Sequence, residues 1–398
     1  MITREQTLAA YADRYRDHPR IGLALRLIAG AGVAERRLAA PIERLLGHPA
    51  PDVRHRHREQ AEALLPRVIR QALEHARLGL GDIDVLVHTC DDGDPAAEAA
   101  LLAERMDAWA DLPRLSIRRP GGTAGAAAIN LAYGFCAAHP GANALVVACS
   151  FGSPRPASAD PDVRDLLAGA LRGHGVAAAV VRGHGGTGVE PRYQSSVRRT
   201  RPPHRVGRDI GATAAHPRPG RRATPDGPAA VIARQARGHG WDPADLDLCV
   251  IHPGAPAGLG ELASRLRLAP AAIRATRETL GEYGDIGGAV VLDALRRAFD
   301  AGTVRDGARC LLAGFGPGAA AELMLGTWVE HAAAGPRPAH APARPARIPG
   351  GSGRYAGRDR VRACARYAPR AGGVPPAGGR GACCDAGGPP RRRHRPKR

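Results

Sequence analysis

Three positions in the sequence combine residue types and turn patterns that suit acyl-transfer chemistry. Gly122 opens the small-residue run TAGAAAIN, His252 ends the apolar run LCVIH, and Asp285 precedes a glycine turn that opens GGAVVLDAL. The N-terminus of a helix stabilises a thiolate or an oxyanion through its free N–H groups and its dipole. A histidine beside two such termini is a suitable setting for covalent acyl transfer, but Gly122 carries no nucleophile.

A repeated order of elements would bring these positions together. GLGDIDVLVHTC and WDPADLDLCVIH both predict a turn that leads into an apolar strand. GGTAGAAAIN with ALVVACS, and GDIGGAVVLDAL with CLLAGFG, both predict a glycine turn, a helix and a buried strand. The pattern favours one unit used twice, with chance recurrence of helix–strand units as the alternative. In a duplicated fold, the two helix N-termini would meet near the centre with His252 beside them.

The positive charge is concentrated in two segments. The 398 residues carry a formal net charge of +19. Ala333–Arg398 has 16 Lys and Arg against 2 Asp and Glu, and Arg192–Pro225 has 9 against 1, which leaves about −3 for the remainder. We predict that Ala333–Arg398, rich in Pro, Gly and Arg, is disordered. Such a tail can bind nucleic acid through phosphates, but it lacks interleaved aromatics and a known module. Translation of a GC-rich gene out of frame is another explanation of both segments.

The cysteines predict buried thiols in a reducing cytoplasm. The eight cysteines are scattered, and several lie in or beside apolar runs, which does not suggest a disulfide framework. Their spacing matches no zinc site, so we expect no metal. The sequence has no signal-peptide pattern and no apolar run long enough to span a membrane. We therefore expect no membrane association.

Four stretches of the sequence match one known family. They are AAINLAYGFCAAHPGANALVVAC, AAAVVRGHGGTG, HGWDPADLDLCVIHPGAP and GFGPGAAAELMLGTW. The chain resembles the type III polyketide synthases, the chalcone and stilbene synthase family, over roughly Gln6 to Val329. The resemblance implies an α/β fold, the duplicated thiolase-like α/β/α/β/α arrangement, and a homodimer. It also implies acyl transfer from malonyl-CoA or another acyl-CoA, with coenzyme A thioesters as substrates and no permanently bound cofactor.

The resemblance assigns roles to individual positions. The family uses a Cys nucleophile, a His and an Asn, which fall on Gly122, His252 and Asp285. Coenzyme A phosphates would lie near Arg36 and Arg37, with exposed charges at a helix end as the alternative interpretation. The family's active-site loop GFGPG comprises Gly314, Phe315, Gly316, Pro317 and Gly318.

Departures from the family pattern predict impaired condensation. Glycine at position 122 removes the route for covalent loading, and members of a catalytic set act as a unit. A carboxylate at Asp285 would repel an enolate when ionised and could donate a hydrogen bond only when protonated. The family's aromatic gatekeeper position falls at Pro156, and its GDG-like turn reads GHG with His174.

Other residues are weaker candidates for a substitute nucleophile. Thr123 is adjacent to Gly122, but its hydroxyl lacks an evident activating partner. Cys90 and Cys149 end apolar strands and are interpreted as small buried residues, with a cavity-lining role for Cys90 as the alternative.

We predict four segments: an N-terminal thiolase-like half at 1–190, an aberrant basic segment at 191–225, a C-terminal half at 226–332 and a disordered tail at 333–398. The predicted function is that of a type III polyketide synthase-like acyltransferase whose normal condensation is impaired. The alternatives are a non-catalytic homologue, a protein that only decarboxylates malonyl-CoA, and a nucleic-acid-associated protein that acts through its tail.

Overall fold

The computed structural model describes residues 1–47, 50–90, 102, 112–117, 122–152, 160–183, 188–197, 227–253, 258–316 and 320–330. The described residues all fall within one compact unit, which lies between Met1 and Arg344. The predicted tail at 333–398 and most of the basic segment lie outside the described residues.

The first part of the chain is mainly helical. Thr3 caps the first helix by a capping box, in which its Oγ1 accepts from the Gln6 amide at 3.2 Å and the Gln6 side chain accepts from the Thr3 amide at 2.9 Å. The elements of this part are β1 (Ile2–Thr3), α1 (Arg4–Arg14), α2 (Ile21–Gly30), β2 (Glu35–Arg36), α3 (Ile42–Gly47) and α4 (Ala50–Ala76).

Two four-stranded sheets follow, one from each half of the chain. The first half contributes β3 (Val85–Cys90), β4 (Arg114–Ile117), α5 (Thr123–Ala138), β5 (Asn143–Ser150), α6 (Val163–Leu171) and β6 (Gly175–Arg182). The elements that follow are β7 (Gly188–Val197), α7 (Pro228–Gly238), β8 (Leu248–His252), α8 (Gly258–Leu266), α9 (Arg274–Tyr283), α10 (Ala289–Ala301), β9 (Arg309–Gly316) and β10 (Ala320–Val329). The first sheet has the strand order β4-β3-β5-β6, and the second has the order β7-β10-β9-β8.

The two halves share one topology. In the first, β3 runs parallel to β5, and β6 pairs antiparallel with β5. In the second, β8 runs parallel to β9, and β10 pairs antiparallel with β9. Helix α5 precedes β5 as helix α10 precedes β9, so the repeated unit predicted from the sequence is present. Strand β7 pairs with β10 and extends to Val197, past the predicted boundary at residue 190.

Helices α5 and α10 form the middle layer between the two sheets, because each of them contacts strands of both. Helix α4 packs on the face of the first sheet that points away from α5, and α7 and α9 contact the second sheet. The predicted α/β/α/β/α arrangement is therefore confirmed.

Small residues in α5 follow from its position in this middle layer. A Cβ at Gly125 would overlap the carbonyl group of Gly288, the residue that precedes α10. Larger side chains would separate the two helices and enlarge the gap between the sheets, at a cost of about 1–3 kcal/mol for an overpacked site. The run TAGAAAIN is thus the sequence of a helix enclosed on several sides.

Candidate active site

Gly122 and His252 lie against each other at the start of α5. Gly122 is the N-cap residue of α5, and His252 is the last residue of β8. His252 is 1% exposed. A Cβ at position 122 would lie within 2.6 Å of the Nδ1, Cγ and Cε1 atoms of His252. The imidazole ring therefore occupies the space into which any side chain at position 122 would project.

Strand β9 packs against the start of α5 at this contact. His252 pairs in register with Gly314 of β9. A Cβ at Gly314 would overlap the carbonyl group of Gly122 and lie 3.0 Å from the Cα atom of Thr123. Only glycine at position 314 lets the first turn of α5 approach this closely.

Asp285 lies on the other side of the His252 ring. Its Oδ1 atom lies 2.9 Å from Nε2 of His252 and also accepts from the Gly287 amide at 2.9 Å. Burial alone would raise the pKa of Asp285, but the charge and hydrogen bond of His252 hold this pKa well below its usual range. Asp285 is therefore ionised at neutral pH, and 25% of its side chain remains exposed.

The backbone around Asp285 is fixed by the loop that follows α6. The Asp285 amide donates to the Leu171 carbonyl at 2.8 Å, and the Gly173 amide donates to the Asp285 carbonyl at 2.9 Å. Gly284 adopts a φ of 68°, and a Cβ there would overlap the Leu171 carbonyl. Glycine before Asp285 is thus required both by the backbone conformation and by the close approach of the two segments.

Arg36 is a structural residue, which corrects its sequence-based assignment to coenzyme A phosphates. The side chain is buried, and its Nη1 donates to the Arg172 carbonyl at 2.6 Å while its Nη2 donates to Thr7 Oγ1 at 3.0 Å. Burial lowers the pKa of Arg36 to about 10. A guanidinium enclosed and bonded in this way is not available to a phosphate. It holds the segment after α6 that pairs with Asp285.

Arg37 has a different environment. Its side chain is exposed, and its guanidinium carbon lies 5.8 Å from the ring centre of Tyr283. The carbonyl of Arg37 accepts from the His174 amide at 2.8 Å. An exposed guanidinium beside Tyr283, two residues before Asp285, suits an anionic ligand, so Arg37 remains a proposed phosphate contact.

His174, in the GHG turn, links two loops. Its Nδ1 accepts from the Ala39 amide at 2.8 Å, and its Nε2 donates to the Gly152 carbonyl at 2.9 Å. Its ring lies edge-to-face on Phe151, with centroids 5.9 Å apart. Both ring nitrogens of the buried His174 are thus committed to the backbone.

The candidate substitute nucleophiles are placed unfavourably. Cys90 and Cys149 are paired in register on β3 and β5, and both belong to the cluster that packs under α4, on the other face of the sheet from α5. Burial raises the pKa of Cys136 to about 11 and that of Cys310 to about 12, which disfavours the reactive thiolate. Thr123 is buried at the first position of α5.

The proposed active-site loop is described in part. Gly314 lies under Gly122, Phe315 is buried in the core of the second half, and Gly316 ends β9. Pro317 and Gly318 lie outside the described residues, as does Pro156.

A buried carboxylate near the site was missed by the sequence analysis. Glu322 of β10 pairs with Gly314, so His252, Gly314 and Glu322 form one row across three strands. Asn130 of α5 donates to Glu322 Oε2 at 3.3 Å, and Gln194 donates to Asn130 Oδ1 at 3.1 Å. A single charged residue inside the apolar run AELMLGTW was the available signal. This network ties the middle of α5 to the second sheet.

The described part of the chain contains no group of three or more His, Cys, Asp or Glu side chains placed to hold a metal ion. Among the same residues, no helix combines the length and apolar character needed to cross a bilayer.

Comparison with known proteins places this site in a family. The profile of "Chalcone and stilbene synthases, C-terminal domain" matches residues 239–329. The chain is 43% identical over 332 residues to 1,3,6,8-tetrahydroxynaphthalene synthase of Streptomyces coelicolor, covering 82% of this chain and 89% of that protein. It is 30% identical over 335 residues to phloroglucinol synthase of Pseudomonas fluorescens, covering 82% and 95%.

Solved structures agree with the sequence matches. The crystal structure of the Streptomyces coelicolor tetrahydroxynaphthalene synthase superimposes with a TM-score of 0.75, covering 83% of this chain and 96% of that one. Germicidin synthase of the same organism, at 21% identity, shares the fold with a TM-score of 0.68. The chain therefore belongs to the type III polyketide synthase family and has its thiolase-like fold.

Proposed function

We propose that this chain binds coenzyme A thioesters at the site formed by Gly122, His252 and Asp285, and that it decarboxylates malonyl-CoA without loading an acyl group onto itself. The observation that carries the proposal is the position of the His252 ring in the space of a Cβ at Gly122. Family membership supports coenzyme A thioesters as ligands, and the exposed Arg37 is the candidate for a phosphate contact.

Covalent loading is disfavoured by two features. Gly122 has no side chain with which to attack a thioester, and the described thiols are buried away from His252 or held as thiols by burial. The acyl-enzyme route of the family therefore has no nucleophile at its usual position. Without that intermediate, the condensation of an acyl group with malonyl-CoA loses its first partner.

Decarboxylation does not require the thiolate. The bond between the malonyl carboxylate and the α-carbon breaks, the electron pair moves into the thioester to form an enolate, and carbon dioxide leaves. A proton from solvent then gives acetyl-CoA. The amides at the start of α5 and a protonated His252 ring are the groups that stabilise the enolate oxygen. Asp285, ionised and bonded to Nε2 of His252 at 2.9 Å, orients the ring but donates nothing itself.

The test uses labelled malonyl-CoA with the full chain. We expect acetyl-CoA and carbon dioxide, no naphthalene product, and no increase in intact mass. His252→Ala should lower the rate about 100-fold, the usual effect of removing one oxyanion donor. Formation of tetrahydroxynaphthalene, or a stable acyl adduct on the protein, would contradict the proposal. Ligand binding without turnover would favour a non-catalytic homologue.

The family resemblance also leads us to expect a homodimer in the cytoplasm. Light scattering on the purified chain measures the first expectation, and a monomer at micromolar concentration would contradict it. A role in nucleic-acid binding through the basic tail is the remaining alternative. Retention of DNA that is lost in a chain truncated after residue 332 would favour it.

A further inference from the structure

The strand that carries His252 lies at the edge of the second sheet. Strand β8 is the last in the order β7-β10-β9-β8, so only one of its sides faces another described strand. Backbone groups on the other side must find partners elsewhere, because an unpaired buried amide or carbonyl costs free energy. The partners of this outer side therefore help to decide where the end of β8 lies, and with it the position of His252.

Thr276 of α9 supplies two of these partners. Its Oγ1 atom accepts from the Ile251 amide at 3.1 Å and donates to the Cys249 carbonyl at 3.2 Å. The Cys249 amide donates to the Ala272 carbonyl at 2.7 Å, just before the same helix. Thr276 is buried, so bulk water does not supply these bonds. One side chain thus takes the place of a neighbouring strand up to the residue before His252.

The same helix leads to the partner of His252. Helix α9 ends at Tyr283, and Asp285 follows two residues later. Asp285 Oδ1 lies 2.9 Å from Nε2 of His252. The segment from α9 to Asp285 therefore contacts the histidine region twice, at the strand through Thr276 and at the ring through Asp285. Since a hydrogen-bonded helix keeps a fixed rise of about 1.5 Å per residue, a shift at one contact is transmitted to the other.

We propose that Thr276 is a positioning residue of the site, which fixes His252 against Asp285 through the outer edge of β8. Without the hydroxyl, the Ile251 amide and the Cys249 carbonyl lose their buried partner, and the end of β8 moves to find others. A ring displacement of roughly 0.5 Å takes the bond to Asp285 beyond the ordinary range of an N–H···O hydrogen bond. Thr276 acts only through His252 and touches no reacting atom.

This inference rests on the proposed function for its effect on the rate, because the decarboxylation uses His252. The position of the ring is also measurable without turnover. Ionised Asp285 only accepts hydrogen bonds, so Nε2 of His252 carries the proton that the two side chains share. Exchange of this proton with solvent, followed by NMR of the full chain with nitrogen-15-labelled histidine, reports how firmly the pair is held.

Three variants separate the hydroxyl from the shape of the side chain. Thr276→Val keeps the branched shape and removes both hydrogen bonds, whereas Thr276→Ser keeps the hydroxyl. Thr279→Val is the matched control, because Thr279 lies one turn further along α9 and is equally buried. Its hydroxyl donates to Asp293 Oδ2 of α10 at 2.7 Å rather than to β8. The control therefore loses a buried hydroxyl from the same helix without loss of a bond to the strand of His252.

We expect the shared proton to exchange about tenfold faster or more in Thr276→Val, and within about twofold of the parent rate in Thr276→Ser and Thr279→Val. Exchange is measured well below the melting temperature of every variant, so that global unfolding does not set the rate. In Thr276→Val, kcat for malonyl-CoA decarboxylation should fall about tenfold while KM changes by less than about threefold, because a misplaced group loses rate steeply with distance. The other two variants should keep the parent kcat.

The outcomes distinguish this inference from the proposed function. Faster proton exchange in Thr276→Val alone supports the role of Thr276, even if the parent does not decarboxylate malonyl-CoA and the proposed function fails. Unchanged exchange in Thr276→Val, or equal acceleration in Thr279→Val, overturns the inference whether or not the parent is active. If Thr276→Val does not fold, Thr276→Ser decides: exchange as in the parent supports the hydroxyl, and tenfold faster exchange overturns its role.

Discussion

Replacement of Gly122 by Ala tests the central geometric observation. A Cβ at this position would lie within 2.6 Å of three ring atoms of His252, whereas ordinary contact begins at 3.4 Å. The farthest of the three must therefore retreat by about 0.8 Å, and the nearest by more. The ring is buried and bonded at 2.9 Å to Asp285, so a displacement of this size breaks that bond.

The expected cost follows from two contributions. Loss of a hydrogen bond to a charged group costs about 1.5–3 kcal/mol, and overpacking of a buried site costs about 1–3 kcal/mol. We expect a loss of roughly 3–5 kcal/mol in the free energy of unfolding. At about 2 °C per kcal/mol for a chain of this size, Tm should fall by roughly 6–10 °C.

The matched control is Gly134→Ala in the same helix. Nothing lies within 4 Å of a Cβ at Gly134, and alanine has the higher helix propensity by about 1 kcal/mol. This variant should melt at or slightly above the parent temperature. If calorimetry shows Gly122→Ala to be as stable as Gly134→Ala, His252 does not occupy the space beside Gly122. Gly122→Cys carries the same Cβ, so it should share the loss of stability, and its acyl loading requires the ring to leave that space.

Three further predictions concern the surrounding groups. Because the pKa of Asp285 is lowered in the folded chain, ionised Asp285 stabilises the fold at pH values above about 4, the ordinary carboxyl pKa. This stabilisation is lost progressively as the pH falls below that value. The Tm difference between the parent and Asp285→Asn should therefore be largest at neutral pH and shrink towards pH 3. Arg36→Lys should lower Tm by several degrees, because one ammonium group cannot replace the hydrogen bonds to the Arg172 carbonyl and to the Thr7 hydroxyl. Arg37→Ala should leave Tm unchanged and should weaken coenzyme A binding, as measured by calorimetric titration. The described thiols should resist alkylation in the native chain and react after denaturation, as peptide mass spectrometry would measure; rapid native alkylation of any of them would contradict their burial.

The elements that carry the site residues could be predicted from the sequence, because their boundaries depend on short stretches of chain. Glycine turns before small-residue or amphipathic runs predicted the starts of α5 and α10, and the apolar run before His252 predicted a buried strand that ends there. Since the two halves repeat the same order of elements, their convergence followed from the duplication. The family resemblance then gave the roles of these positions.

Other features depended on contacts between distant segments. Arg36 and Arg37 are adjacent in sequence and look equivalent there. The side chain of Arg36, the last residue of β2, is buried against the end of α6, whereas that of Arg37, the next residue, is exposed. Glu322 was not recognised because its importance comes from Asn130, which lies nearly two hundred residues earlier in the chain. The part of β7 from residue 191 to Val197 was assigned to the basic segment because that segment has little apolar periodicity and many Arg and Pro, whereas pairing with β10 decides its conformation.

The sequence by itself determined the family, the fold and the absence of a side chain at Gly122, because these are properties of residue types and of their order. It left open which protonation state Asp285 adopts and what fills the space beside Gly122. The tertiary structure decided both, because the answers depend on a 2.9 Å bond to His252 and on the meeting of α5 with the end of β8. Neither contact is a property of a local stretch of chain.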